Sequence, residues 1–417
     1  MRIVFDKSQK IFRGFLTGSS ITITEKGKSV ALVPILISLI GIESYGSYVL
    51  LLLVSSYLSM FINCGMNVCL VRHFSSSEDR VRELTIALVI ILSSSLLILS
   101  VWSLFSSVFS PLLNIKQGFY FYVIVIAIFE SIRLIVVAQF RCLKEYSKIF
   151  LYVISFEVLE FFILLIVFII GIDVSLVFVI DLYLLVRCVS LTLALLIVRP
   201  SLKSVSLPLI ISRLKLGLTL IPKDIALWFA HNADRFIISA VLGNAALGIY
   251  SAIYKLASVI KLVSQPVSFI SFPLLSDHWD KESMNDFKHV YYVSISIYLL
   301  LSLAVFLTYM IFSYDLLNFV DEDLVEYGSI LIWLSLGLIL HTVQAISGYY
   351  IFILSNKVAT YTKIIVLVSF LGVFLQYVMI TEYGLQGAAV SSFIIYFCLF
   401  LVVCYSSKKN FNRGSYG

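Results

Sequence analysis

Charge is what this 417-residue chain has least of. Asp, Glu, Lys and Arg together make up 13% of it, about half the share in a soluble globular domain. Hydrophobic residues take 60%, and mean hydropathy is +1.03. A 47.0 kDa particle with so little polar material could not cover its surface in water. A soluble globular protein, a disordered chain and a nucleic-acid binder are therefore excluded. Cysteine is also scarce. The six residues (Cys64, Cys69, Cys142, Cys188, Cys398, Cys404) show no metal-ligand spacing, so no metal site is expected and they read as small buried hydrophobes. A phosphate-cradling glycine loop, a zinc motif and a nucleophile elbow are all absent, which argues against ATP-driven pumping by this chain alone. The first 20 residues hold no long apolar core with a small-residue cleavage site. The first helix is thus expected to act as an uncleaved signal.

What is present is a series of apolar runs. They are continuous rather than alternating, so they predict membrane-spanning helices and exclude a barrel. Breaks at charged or Gly/Pro clusters predict twelve spans, near 12–40, 45–70, 84–110, 118–140, 149–171, 174–198, 214–242, 247–275, 289–313, 327–354, 361–381 and 385–405. Lys and Arg orient them. With the N-terminus inside, 21 basic residues fall in inner segments, among them Arg72, Arg141, Lys144, Arg199, Arg213 and Lys408, and only Lys116 falls outside. That bias predicts both termini on the cytoplasmic side. The longest connections, near 199–213, 276–288 and 314–326, leave no room for a soluble domain.

Two stretches repeat. Gly41-Ile-Glu-Ser-Tyr-Gly46-Ser-Tyr48 and Gly243-Asn-Ala-Ala-Leu-Gly248-Ile-Tyr250 share the pattern G-x4-G-x-Y, 202 residues apart. The glycines suit tight outer turns and the tyrosines suit the membrane interface. Two parallel halves of six spans follow: an N-terminal lobe at 1–198, a cytoplasmic linker at 199–213 and a C-terminal lobe at 214–417 with a short cytoplasmic tail. Such halves are typical of alternating-access transporters.

Fifteen ionisable residues lie deep inside the predicted spans, away from their ends. Eight are basic (Lys26, Lys28, Arg133, Arg187, Lys223, Arg235, Lys255, Lys261) and seven acidic (Glu25, Glu130, Glu157, Glu160, Asp181, Asp224, Asp234). Each would cost roughly 2.5–3.5 kcal/mol if it faced lipid, so they are expected to face one another, backbone or a water-filled path. Spans 2, 3 and 9–12 carry none in their interiors and read as scaffold. Helical spacing puts Glu25 with Lys28, and Glu130 with Arg133, on shared faces. Glu157 and Glu160 form a like-charged i,i+3 pair. Asp224, Trp228, His231 and Arg235 form one stripe. Pro34, Pro222, Pro266 and Pro273 predict kinks, and Pro222, next to Lys223 and Asp224, is the expected hinge.

The stretch Gly217-Leu-Thr-Leu-Ile-Pro222, then Asp234-Arg235, Leu242-Gly243, Gly248-Ile-Tyr250 and Lys255-Leu resembles helices seven and eight of the O-antigen flippases. These are polysaccharide transporters of the multidrug/oligosaccharidyl-lipid/polysaccharide exporter (MOP) superfamily. Tyr383-Gly-Leu-Gln-Gly387-Ala-Ala is similar to that family's turn into helix twelve. The resemblance implies an all-α polytopic membrane protein of twelve helices, in two six-helix lobes around a central, largely basic cavity. It implies no enzyme activity. The implied substrate is an undecaprenyl-diphosphate-linked repeat unit, moved from the cytoplasmic to the periplasmic leaflet of a bacterial inner membrane. Implied partners are this lipid-linked oligosaccharide, membrane lipid, and a polysaccharide polymerase with its chain-length partner.

Carried onto this sequence, Lys26, Lys28, Arg235, Lys255 and Lys261 become cavity cations, with Arg133 and Arg187 beside them. Glu25, Asp224, Trp228 and His231 complete the expected lining. Trp228, Asn232, Gln344 and Tyr254 are candidates for sugar hydroxyls. Acids nearly balance bases inside the membrane region. Either several acids pair with bases, or Glu157, Glu160 and Asp181 carry a coupling H+ or Na+; no other cofactor is expected. A multidrug or cation antiporter of the same superfamily is the alternative, and would favour the acidic residues. A membrane polymerase or glycosyltransferase would need larger outer loops.

Overall fold

A computed structural model describes residues 23–74, 80–113, 117–143, 145–200, 205–219, 221–281, 283–344, 348, 350–355 and 357–413. Among these every regular element is helical. Nine stretches of the described residues are long and apolar enough to cross a membrane. The segment 12–22 of the first predicted span lies outside the described residues.

The helices run in order as α1 (23–40), α2 (Ile42–Asn63), α3 (Met66–Phe74), α4 (Arg80–Leu113), α5 (Tyr120–Cys142), α6 (Tyr146–Ile149), α7 (Ser155–Ile170) and α8 (Leu176–Val198). They continue as α9 (Leu207–Leu218), α10 (Ile221–Leu242), α11 (Asn244–Ala257), α12 (Ile260–Asp280), α13 (Met284–Val320), α14 (Gly328–Gln344), α15 (Tyr350–Leu354) and α16 (Val358–Arg413). A π-helical turn, Phe150–Ile154, joins α6 to α7.

Several predicted spans are broken helices. The second bends at Cys64 and Gly65, both with positive φ. The seventh divides into α9 and α10, and the eighth into α11 and α12. Helix α16 turns at Gly384, with φ 60 and ψ −140, where the sequence predicts the loop between the last two spans. The predicted long connections shrink, because α9, α13 and the 3-10 turn Glu322–Tyr327 continue helix beyond the apolar runs. Helical bonding needs no lipid, so polar flanks extend it.

Two compact units form. One holds α1 through Lys28, then Ile35–Trp228 and Gly243–Gly248; the other holds Ser29–Pro34, Phe229–Leu242 and the chain from Ile249 onward. In the first unit, Ile62, Leu84, Ile91, Ala127 and Ile135 form one fully buried cluster, and Val136, Phe140, Ile154 and Ala194 another. Small hydroxyls stitch the crossings, as membrane helices require. Ser55 Oγ donates to Val123 O (2.9 Å), Ser94 Oγ to Ile62 O (2.6 Å) and Ser131 Oγ to Ser59 O (3.2 Å).

In the second unit α14 packs on α16, where a Cβ on Gly337 would sit 3.0 Å from the Tyr396 ring. Val267, Tyr298 and Val343 pack together across α12, α13 and α14. Outward faces are apolar instead of polar. Leu300 and Ile311 are each 70% exposed, and Phe370 is 78% exposed. Such a surface suits lipid and would be intolerable in water, so the chain is a multi-pass membrane protein.

The glycines of the two G-x4-G-x-Y copies meet inside the first unit, which holds Gly243–Gly248. Gly41 and Gly243 take positive φ (76 and 87), as turn glycines should. Gly46 and Gly248 do something else. A Cβ on Gly46 would lie 1.8 Å from Asn244 O, and one on Gly248 would lie 2.3 Å from Ile42 O. Asn244 Nδ2 also donates to Ser47 Oγ at 3.0 Å. The interface expectation for the tyrosines is overturned: Tyr48 is 8% and Tyr250 0% exposed. A phenol hydroxyl this deep needs a partner, and the Tyr250 hydroxyl finds Asp234.

Candidate functional site

The first unit gathers a mixed-charge network from α1, α5, α7 and α8. Lys28 Nζ lies 2.6 Å from Glu160, whose side chain is 2% exposed. Arg187 pairs with Glu157 and lies over the Tyr183 ring, 5.1 Å from its centroid. Arg133 grips Glu130 with two bonds, at 2.9 and 2.6 Å, and lies 3.6 Å from Glu25. Thus four acids meet three bases. The expected Glu130–Arg133 face is present. The expected Glu25–Lys28 pairing is not: Lys28 turns to Glu160 and Glu25 to Arg133. Lys28 is thus met across helices by a buried carboxylate, whereas Arg133 keeps its own helix neighbour as its closer partner. Glu157 and Glu160 each own a cation, which relieves the like-charge conflict read from their spacing. Lys26 is exposed. Asp181 is also exposed and accepts a hydrogen bond from Tyr122.

The span 7 stripe divides. Pro222 stands in the first turn of α10, where its missing N–H breaks no helix bond, directly after the break that follows α9. The side chain of Lys223 lies outside the described residues, as do those of Pro266 and Pro273. Asp224 is half-buried. Trp228 Nε1 donates to Ser56 Oγ at 2.9 Å, and its ring lies 5.0 Å from Tyr57. These residues belong to the first unit, whereas His231 and Arg235 belong to the second.

In the second unit the cations find aromatic and hydroxyl partners. The Arg235 guanidinium sits 4.0 Å from the Tyr254 ring centroid, and Lys261 Nζ sits 5.6 Å from the same centroid. Lys261 also donates to the Tyr254 hydroxyl at 3.3 Å, and Arg235 donates to Asn232 Oδ1 at 3.4 Å. Lys255 Nζ donates to Ser29 Oγ at 2.6 Å. Asp234, 3% exposed, accepts from the Tyr250 hydroxyl (2.7 Å), Ser392 Oγ (3.4 Å) and the Arg235 backbone N–H (2.8 Å). Among the described residues, neither Arg235 nor Lys261 forms an ion pair. Stacking on a ring uses the face of a guanidinium and leaves the N–H donors along its edge for a ligand. Nε of Arg235 is buried with no hydrogen-bond partner among the described residues. Gln344, a sugar-contact candidate, donates instead to the Tyr361 hydroxyl at 2.8 Å.

Some contributors are not apparent from spacing. Tyr396 and His341 come from distant helices. Tyr254, expected from the sequence as a sugar contact, carries the two cations on its ring, and Tyr250, four residues before it on α11, could have been found as sharing its helical face. Another pair hides among the charges assigned to topology. Arg213 forks onto Glu83 with two bonds of 2.9 Å, and Glu83 is 2% exposed at its side chain. Beside it α9 meets the α2–α3 bend at backbone distance, since a Cβ on Gly217 would lie 1.9 Å from Cys64 O. Arg213→Ala, which strands a buried carboxylate, is expected to cost about 3 kcal/mol. Arg213→Lys should recover less than half of this, because a lysine cannot fork. Thermal unfolding in detergent would measure both.

Known proteins agree with this architecture. A family model described as "Polysaccharide biosynthesis protein" matches residues 11–279. No curated protein sequence matches the chain. Among solved structures, the inward-facing form of a multidrug resistance MATE family transporter of the MOP superfamily is similar at TM-score 0.72. Identity is 13%, with 93% of this chain and 94% of that one covered. The MATE multidrug transporter DinF-BH is similar at TM-score 0.66 and 14% identity, with 97% and 96% covered. A MOP superfamily transporter from Pyrococcus furiosus Vc1 (DSM3638), described as having a binding pocket of reverse polarity, is similar at 0.63 and 13%, with 98% and 96% covered.

Proposed function

Because the chain belongs to the polysaccharide biosynthesis protein family and has the fold of the MOP-superfamily transporters, we propose that it flips a polyprenyl-diphosphate-linked oligosaccharide repeat unit, of O-antigen type or related, from the cytoplasmic to the outer leaflet of a bacterial inner membrane. Its family and fold are those of membrane transporters. One observation carries the choice of an anionic substrate: Arg235 and Lys261 share the Tyr254 ring and form no ion pair among the described residues. A diphosphate offers the dense negative charge that such donors bind through charge-assisted bonds. The acids support the same choice. Glu130, Glu157 and Glu160 are each neutralised by a cation, and Asp234 is engaged by Tyr250 and Ser392. Few carboxylates remain to attract a cationic drug. Trp228 and Asn232 remain candidates for the sugars, while the polyprenyl tail stays in lipid. The two six-helix lobes are proposed to rock about a central cavity, with Pro222 at the hinge and both termini cytoplasmic. A polymerase and a chain-length partner would receive the product. Coupling to H+ or Na+ at Glu157, Glu160 or Asp181 remains part of the proposal, with Asp181 the most accessible of the three.

Deleting the protein from its host should remove long surface polysaccharide and leave drug susceptibility unchanged. Electrophoresis of extracted polysaccharide alongside drug-inhibition assays makes the check. Unchanged polysaccharide with increased drug susceptibility would support the multidrug reading instead.

A further inference from the structure

Two histidines stand beside the cation–aromatic cluster of the second unit, and nothing in an anion-binding role by itself requires them. His231 on α10 and His341 on α14 meet edge to face, with centroids 5.4 Å apart at 81°. His341 also meets Tyr396 of α16, with centroids 4.9 Å apart. The charged and titratable groups that face the pair are Lys261 of α12, Arg235 and Asp234 of α10, and Tyr396 of α16. Among the described residues no carboxylate is hydrogen-bonded to either ring; the sole nearby acid, Asp234, is engaged by Tyr250, Ser392 and a backbone N–H. His231 is the exposed member and His341 the half-buried one.

We infer that the His231–His341 pair is a proton-accepting element of the anion site, so that an anion and a proton are taken up together. A proton added to either ring in the empty site meets the like charge of Lys261, and on His231 that of Arg235 as well, while Asp234 is already engaged by three donors. An anion held by those same two cations cancels the repulsion. Proton uptake thus favours the anion, and by reciprocity the anion favours the proton. Imidazole is the side chain whose ordinary titration lies nearest neutral pH, where lysine and arginine keep their protons. The two rings meet edge to face, and Tyr396 packs against His341. The inference rests on the anion-site reading and adds a proton to it.

The test uses the purified full-length protein in nanodiscs with inorganic pyrophosphate as the probe. Titration calorimetry in two buffers of different ionisation enthalpy, at one pH near 7, reads protons taken up per anion bound. Protonation of pyrophosphate itself is common to all variants and cancels. Wild type should take up about half a proton more per anion than the double variant His231→Gln with His341→Gln, while the variant keeps affinity within about tenfold. Equal proton uptake with intact binding would overturn the inference. His341→Phe, which keeps a ring against Tyr396, serves if the double variant does not fold, and should show part of the same deficit. Arg235→Ala separates the two readings. If pyrophosphate binds wild type and Arg235→Ala equally, the anion site itself is wrong, and the proton-linked reading falls with it.

Discussion

Gly46→Ala is expected to unfold the N-terminal end of α2 and abolish export. The added Cβ would sit 1.8 Å from Asn244 O and 2.9 Å from Gly248 N, both backbone atoms with no rotamer to change. Reaching an ordinary contact of about 3.5 Å would force the two backbones apart by more than an ångström. The Asn244–Ser47 bond, 3.0 Å long, would go with it. Overpacking of this kind costs about 3 kcal/mol, a large part of a typical total stability. Gly248→Ala should behave alike, because its Cβ would meet Ile42 O at 2.3 Å. Gly27→Ala is the control: nothing lies within 4 Å of the added carbon, and alanine favours a helix. Thermal melting and surface polysaccharide should both fall in the first two variants and hold in the third. Wild-type melting in Gly46→Ala would mean that the close approach is not needed for the fold.

The second large effect concerns the Tyr254 cluster. Arg235→Ala and Lys261→Ala are each expected to lower polysaccharide export at least tenfold at unchanged protein level, the fall produced by losing about 1.4 kcal/mol of charge-assisted binding. Arg235→Lys should recover little, since a lysine cannot present guanidinium edge donors while stacking on a ring. Lys26→Ala is the useful contrast, because that side chain is exposed. Lys28→Ala should act differently again. It leaves Glu160 buried without its cation, so the expected loss is in protein level. Export at wild-type level from both Arg235→Ala and Lys261→Ala would remove the cluster from the substrate path.

Much of this is legible in the sequence. Apolar runs locate the helices, and the G-x4-G-x-Y repeat marks two equivalent places in the chain. Glycine at 41 and 243 reads correctly as turn chemistry. The role of Gly46 and Gly248 does not, because a close approach between helices 202 residues apart in sequence has no local signature. Charge partners follow the same logic. Glu130 and Arg133 are neighbours on one helix, and spacing alone pairs them. Lys28–Glu160, Arg187–Glu157 and Arg213–Glu83 cross between helices, and their pairing depends on tertiary packing alone. Helix breaks at Cys64–Gly65 and at Ser258–Val259 fall within apolar runs that hydropathy reads as continuous. His341 gives no signal, since its meaning comes from His231 and Tyr396 across the unit.

The measurement closest to the central claim is translocation by the purified protein in proteoliposomes. A fluorescent short-chain polyprenyl-diphosphate oligosaccharide is placed in both leaflets, and an impermeant quencher reads its exchange. Wild type should exchange it at a rate that depends on protein. The double variant Arg235→Ala with Lys261→Ala should fall to the level of empty vesicles, and Lys26→Ala should stay near wild type. If the diphosphate lipid does not exchange, or if the double variant exchanges it as fast as wild type, the account is contradicted.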